Sequence, residues 1–254
     1  MKITVLGCGS SLGVPALYYG WGNCDKNNPK NRRTRSSIII EKEDTVLLVD
    51  MSPDLRQQIL DYGSEKIDAV FFTHVHYDHI NGINELRPLS LGTQKTLDIY
   101  SRKDILDNIQ QLFPYLFEQN RPRIYRSYMK LHEITDDFVI GDISGTCFEQ
   151  NHGFSTSLGL RIGNFAYSTD IVSMSEKNFA QLQGIDTWIV DCLSLDSVRP
   201  THPNLKTVLQ WVDKLKPRMT YLTHMDASMD YDTLVRILPE NVRPAYDQMT
   251  ITVD

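Results

Sequence analysis

The sequence predicts an α/β protein with mixed β-sheets and helices packed outside them. Three observations carry that expectation. Strand-like apolar runs recur along the 254 residues, and the early ones are joined by short connections. Later runs alternate with helical segments, the pattern of sheets covered by helices. Metal-capable side chains stand just past the carboxyl ends of five runs, where loops of α/β proteins build ligand sites.

In chain order the strand-like runs cover residues 2–6, 37–41, 45–49, 67–73, 97–100, 146–150, 158–162, 165–168, 187–190, 219–223 and 249–253. Ser52-Pro53 can start a helix, with Pro at its first position, and Gly63 can end it. Residues 105–117 form a further expected helix. Ser175 can cap a helix that stops at Gly184. Pro203-Asn204 precedes Leu205, Val208, Leu209, Val212 and Leu215, one apolar stripe on an amphipathic helix that Pro217 ends. A short last helix runs over residues 230–238, and residues 23–35 are polar and irregular, hence a loop. No internal repeat or low-complexity linker interrupts the chain, so residues 1–254 read as one domain.

The formal net charge is -6, and 41% of residues are hydrophobic. A domain that grips nucleic acid along a broad face is usually basic, so that partner is not favoured. Cys8, Cys24, Cys147 and Cys192 form no C-x-x-C pair, which points away from a disulfide framework and toward a reduced, cytoplasmic setting. The N-terminus reads as a first strand ending at Gly7 rather than a signal peptide, and no apolar run approaches membrane-spanning length.

His74-x-His76-x-Asp78-His79 comes directly after the apolar run ending at Thr73. Three imidazoles and a carboxylate within six residues suit a divalent metal. Asp50, His152, Asp170 and His224 each stand after another strand-like run. Asp78 and His79 can serve a second ion, and a carboxylate such as Asp170 can bridge two ions because it offers two oxygens. His202 precedes the Leu205 helix, whereas His132 lies in a polar stretch away from the others.

With these residues in this order, the chain resembles the metallo-β-lactamase superfamily. The resemblance implies a four-layer αβ/βα sandwich with two divalent ions, Zn2+ or Mn2+, at the edge of two facing sheets. It implies that His74, His76 and His152 hold one ion, that Asp78, His79 and His224 hold the other, and that Asp170 bridges. Asp50 would orient a ligand histidine from behind. Gly7-Cys8-Gly9-Ser10-Ser11-Leu12-Gly13-Val14-Pro15, with Arg32-Arg33-Thr34-Arg35-Ser36-Ser37, resembles the branch of phosphoribosyl cyclic phosphodiesterases and tRNA 3′-processing endonucleases. The passage from Val190 to His202-Pro203 resembles the cyclic phosphodiesterases most, in which a histidine here donates a proton. Asp78 and His202 are thus the candidate catalytic residues.

Two departures narrow the expectation. The cyclic phosphodiesterases carry a cysteine cluster for a structural zinc, of which this chain retains Cys24 alone. The endonucleases often bear a Gly/Pro-rich arm, and no comparable insertion occurs. The expected function is a binuclear phosphodiesterase acting on a small cyclic or nucleotide-like diester. A tRNA or RNA 3′-end nuclease and a (thio)ester or lactone hydrolase are the alternatives. The relatives also suggest a homodimer. Three features carry bland readings: a tight turn for the Gly7–Gly13 loop, a solvated loop for the basic cluster of Lys26, Lys30, Arg32, Arg33 and Arg35, and a structural role for Asp191.

Overall fold

The computed structural model describes residues 1–93, 96–117 and 129–253. Two seven-stranded mixed sheets form the molecule, flanked by helices. The first contains β1 (Lys2–Gly7), β2 (Ser37–Lys42), β3 (Thr45–Val49), β4 (Ala69–Phe71), β5 (Leu97–Ser101), β6 (Met129–Glu133) and β14 (Met249–Thr252), in the order β14-β1-β2-β3-β4-β5-β6. The second contains β7 (Asp137–Ile140), β8 (Ile143–Asn151), β9 (Thr156–Ile162), β10 (Phe165–Ser168), β11 (Thr187–Asp191), β12 (Met219–Thr223) and β13 (Val242–Pro244), in the order β13-β12-β11-β10-β9-β8-β7. Each sheet is antiparallel on one side and parallel on the other: β2 runs against β3 and β9 against β10, while β3-β4-β5 and β10-β11-β12 run parallel.

The buried apolar cluster draws on both sheets, with Ile39, Leu48 and Val70 from the first and Leu160, Ile189 and Leu222 from the second. Phe71 of β4 meets Phe138 of β7 at a ring separation of 5.7 Å. Because β3, β4, β10, β11 and β12 end at one rim, the residues just past them are brought together there. The N-terminal ammonium of Met1 bonds the carbonyl of Val253 at 2.9 Å, at the opposite end of β1 from that rim. No helix among the described residues is long and apolar enough to cross a membrane.

Most helix boundaries obey their punctuation. In α5 (Glu176–Leu182) the Ser175 hydroxyl accepts from the Asn178 N–H and the Asn178 side chain reaches back to Ser175, a capping box. In α6 (Leu205–Leu215) Asn204 is the cap, and of the expected stripe Leu205, Val208, Val212 and Leu215 are buried while Leu209 is half-buried. Asp230 caps α7 (Tyr231–Ile237). The expected start at Ser52-Pro53 is displaced: α1 (Leu55–Tyr62) begins after Asp54, whose N–H is taken by the Ser52 hydroxyl in a turn. The expected 105–117 helix is α4 (Lys103–Leu112), broken before Pro114, which disfavours helix at Phe113. The expected 67–73 strand pairs only over Ala69–Phe71, because the chain turns into the site after Phe72.

Among the described residues, five strands and α-helices go beyond the sequence expectation. Three are the strands β6, β7 and β13, and all three are sheet edges. Edge strands need only one buried side and are often short or polar. That is why His132, in a seemingly loose polar stretch, is a β6 residue bonded to Asp98 at 2.7 Å and stacked on Tyr100. The other two are the helices α2 (Tyr77–Ile80) and α3 (Leu86–Thr93), which continue from the histidine motif.

Candidate metal centre and adjoining cleft

The six-residue motif converges because its backbone changes state halfway. His74 comes three residues after β4, His76 is extended at φ -66, ψ 149, and Tyr77 starts α2. The helical turn then returns Asp78 and His79 to the side that His74 faces. His74, Asp78 and His79 are buried, while His76 is exposed.

The other members arrive singly. His152 lies just past β8, Asp170 past β10 and His224 past β12. Asp50, Asp170 and His224 all have left-handed backbones, at φ 61, 53 and 57. Such angles are uncommon for residues with a side chain, and here they swing the side chain from the strand end onto the rim.

The arrangement forms interlocking groups. The ligand-capable atoms of His74, His76, His152 and Asp170 lie within 4.8 Å of one another, as do those of Asp78, His79 and His224. Asp170 touches both: Oδ1 is 3.4 Å from His152 Nε2, 3.7 Å from His74 Nε2 and 3.6 Å from His224 Nε2, and Oδ2 is 3.1 Å from His79 Nε2. Asp78 Oδ2 lies 3.3 Å from His79 Nε2 and 3.5 Å from His224 Nε2.

The imidazoles are oriented from behind. His79 Nδ1 donates to Asp50 Oδ2 at 2.7 Å, and Asp50 also accepts from the Thr73 N–H and hydroxyl. With its proton given to Asp50, the Thr73 hydroxyl accepts from His74 Nδ1 at 3.0 Å. His152 Nδ1 donates to the Thr201 carbonyl at 2.9 Å. In each case Nδ1 is engaged from behind and Nε2 faces the centre, the orientation a metal ligand needs. The Nε2 atoms of His74, His79 and His224 are buried without a hydrogen-bond partner, the neighbouring carboxylates being close but not in line. Buried imidazole nitrogens aimed at a common point, with carboxylates and no thiolate, fit zinc or manganese equally.

Electrostatics agree with the geometry. Burial drives His74 well below the ordinary histidine pKa, with the neighbouring His79 adding to it. Burial also opposes a charge on His79 and His224, but the carboxylates outweigh it. Asp170, Asp78 and Asp50 hold His79 well above the ordinary value, and Asp170 with Asp78 raises His224 to about 9. Against its own burial, Asp170 is held well below the carboxylate range by His224, His79 and His74. A cation at the Nε2 atoms would take the place of these protons.

His202 adjoins this cluster. Its ring stacks on His224 at 4.7 Å and meets His152 edge-on at 4.9 Å. Its Nδ1 bonds Asp191 Oδ2 at 2.7 Å. Asp191, expected to be structural, ends β11 much as Asp50 comes after β3, and it holds His202 in place beside the cluster. That shared strand-end position was the signal in the sequence.

The Gly7–Gly13 loop is a turn, as expected. Its N–H groups at Cys8, Gly9, Ser10 and Gly13 are spent on Asp247, Thr34, Met225 and Ser10. A Cβ on Gly7 would run into the Arg35 carbonyl. Most of the basic cluster is tied down rather than solvated. Arg33 is buried against the Met229 carbonyl, Arg35 pairs with Asp54, Lys30 lies over Tyr231 and Tyr246, and Arg32 lies over Trp21. The four cysteines are buried and unpaired.

Two facing mixed sheets whose parallel strand ends gather imidazoles and carboxylates at one rim define a metal-dependent hydrolase scaffold. Residues 45–225 match the β-lactamase superfamily domain, and the chain belongs to that superfamily of metal-dependent hydrolases. It is similar to a curated octanoyltransferase of Porphyromonas gingivalis, 29% identical over 100% of this chain and 52% of that protein. A ribonuclease Z of Methanococcus maripaludis is 28% identical over 44% of this chain and 32% of that protein. The chain thus spans about half of the first relative and a third of the second. Among solved structures, a new diphosphatase from the PhnP family superposes with a TM-score of 0.90 at 29% identity, covering 100% of this chain and 98% of that one. The short form of human tRNase Z, at 17% identity and a TM-score of 0.71 over the whole of both chains, shares the fold.

Proposed function

We propose that this chain is a binuclear metal-dependent phosphodiesterase acting on a small diester. The observation that carries the reading is the position of Asp170, whose two oxygens reach the imidazoles of both ligand groups. His74, His76 and His152 would hold one ion and Asp78, His79 and His224 the other, with Asp170 between them. When bound, such a pair supplies Lewis acidity and lowers the pKa of water. The remaining work falls to the chain. Asp50, Thr73 and the Thr201 carbonyl keep the imidazoles in register. Asp191 holds the Nδ1 proton of His202, leaving Nε2 to deliver a proton to the departing oxygen. The full-length likeness to a diphosphatase supports phosphoryl over acyl chemistry. The likeness to a protein named octanoyltransferase favours an acyl thioester as second reading, but half of that protein lies outside the match. The unpaired thiols support a cytoplasmic setting.

The test is a panel on metal-loaded protein: a generic phosphodiester, a ribose cyclic phosphate, a tRNA precursor, a thioester and a lactone. Phosphodiester turnover is expected, and thioester or lactone turnover alone overturns the reading. His202→Ala should lower kcat by roughly 10²–10⁴-fold, the range of general acid catalysis, with bound metal unchanged by elemental analysis. Unchanged turnover removes His202 from the mechanism.

A further inference from the structure

Beyond His202 lies a cleft of about 630 Å³, built from loops that leave β1, β11 and β12. That volume is within the roughly 300–1,000 Å³ that holds a small organic ligand. Tyr19 and Leu12 contribute apolar surface, Ser10 and Ser11 contribute hydroxyls, and Arg199 contributes a cation. Among the described residues Arg199 has neither a hydrogen-bond nor an ion-pair partner, and the same holds for the two serine hydroxyls. The Ser11 carbonyl is pinned by Arg35 Nε at 3.0 Å and by the Tyr77 hydroxyl at 2.5 Å, so this wall is fixed. One acid, Asp226, also faces the cleft, but its Oδ1 accepts both the N–H and the hydroxyl of Ser228, at 2.8 and 2.6 Å.

His202 belongs to the cleft lining and to the imidazole cluster at once. With His202 as proton donor, the phosphorus under attack would sit over the cluster, the departing oxygen at His202, and whatever departs with it in the cleft. A guanidinium without a partner in the protein matches an anion on that departing group. We infer that the cleft is a leaving-group subsite for a second phosphate, with Arg199 as its counter-charge and Tyr19 as its apolar wall.

The substrate class is then a diester whose leaving group is itself a phosphate monoester, as in a linear diphosphate. Water oxygen bonds the attacked phosphorus, and the bond from that phosphorus to the bridging oxygen breaks. The bridging oxygen leaves with the electron pair and takes the His202 proton, and a proton from water restores the imidazolium. No redox partner is needed. This inference rests on the phosphodiesterase reading.

The test compares two substrates that differ in the leaving group. Diadenosine 5′,5′-diphosphate releases AMP, and deoxyadenylyl-deoxyadenosine releases an uncharged nucleoside. The ratio of their kcat/KM values cancels effects common to both. Arg199→Gln should lower that ratio, diphosphate over monophosphate, by about 10–100-fold, the worth of a charged hydrogen bond. Arg199→Lys should restore part of it. Calorimetric binding of AMP, which needs no turnover, should weaken in parallel. A ratio and an AMP affinity that are both indifferent to Arg199, with diesters still hydrolysed, overturn the subsite and leave the phosphodiesterase reading intact. Arg199-dependent AMP binding in a protein that hydrolyses neither diester overturns that reading and keeps the subsite.

Discussion

Asp50 and Asp170 occupy equivalent places in the two sheets and do different work. Each lies just past the strand where its sheet turns from antiparallel to parallel, and each has a left-handed backbone. Each is clamped by a serine of the preceding strand: the Ser37 hydroxyl bonds the Asp50 carbonyl at 2.9 Å, and the Ser157 hydroxyl bonds the Asp170 carbonyl at 2.8 Å. Yet Asp50 faces the Nδ1 side of His79, whereas Asp170 faces the Nε2 atoms of four histidines. One backbone device thus serves two ends, a brace behind one imidazole and a hub among four. Their surroundings separate them. Asp50 meets the dense motif of its own sheet from behind, while Asp170 reaches across to it.

The sharpest break in this comparison is Asp170→Ala. It removes the hub and should lower bound metal below two ions per chain. Its loss of activity should exceed the roughly 10–100-fold typical of an outer partner. Elemental analysis with full retention of two ions would end the bridging assignment. Asp50→Asn comes next. With the amide oxygen kept on the Thr73 N–H, the amide nitrogen faces His79 Nδ1 and cannot accept from it, so the imidazole loses the tautomer that frees Nε2. Metal affinity should fall by roughly 10–100-fold with the fold intact, as measured by competition with a chelator. An affinity equal to that of the parent would mean that Asp50 merely starts the next turn. The smallest effect separates the clamps. Ser37→Ala and Ser157→Ala should each cost about 1–3 kcal/mol of stability by denaturant unfolding, because each strands buried carbonyls. Ser157→Ala should lower metal affinity more than Ser37→Ala, and the reverse order would contradict the hub and brace roles.

The same contrast explains which residues were legible in the sequence. His74, His76, Asp78 and His79 announce themselves because one strand exit delivers all four. His152, Asp170 and His224 are single residues whose meaning depends on strand order, and only their shared place just past an apolar run marks them. Asp191 satisfies that rule too. Its bond to His202 comes from a loop return that no local pattern encodes. The edge strands β6, β7 and β13 are hard to see because an edge needs less apolar surface. The basic residues of the 23–35 loop look like a surface patch, since nothing local foretells that Arg33 will be buried on the Met229 carbonyl. Helix caps are the most reliable punctuation, failing chiefly where a turn consumes the expected Ser52 cap.

The left-handed backbones at Asp50, Asp170 and His224 have a consequence for how this chain evolves. A side chain in that region stores on the order of 1–3 kcal/mol, which glycine would release. These three sites are therefore where selection for stability and selection for activity pull hardest against each other. A lineage that stopped using the site should drift toward glycine or asparagine there first, keeping both sheets while the rim empties of carboxylate and imidazole.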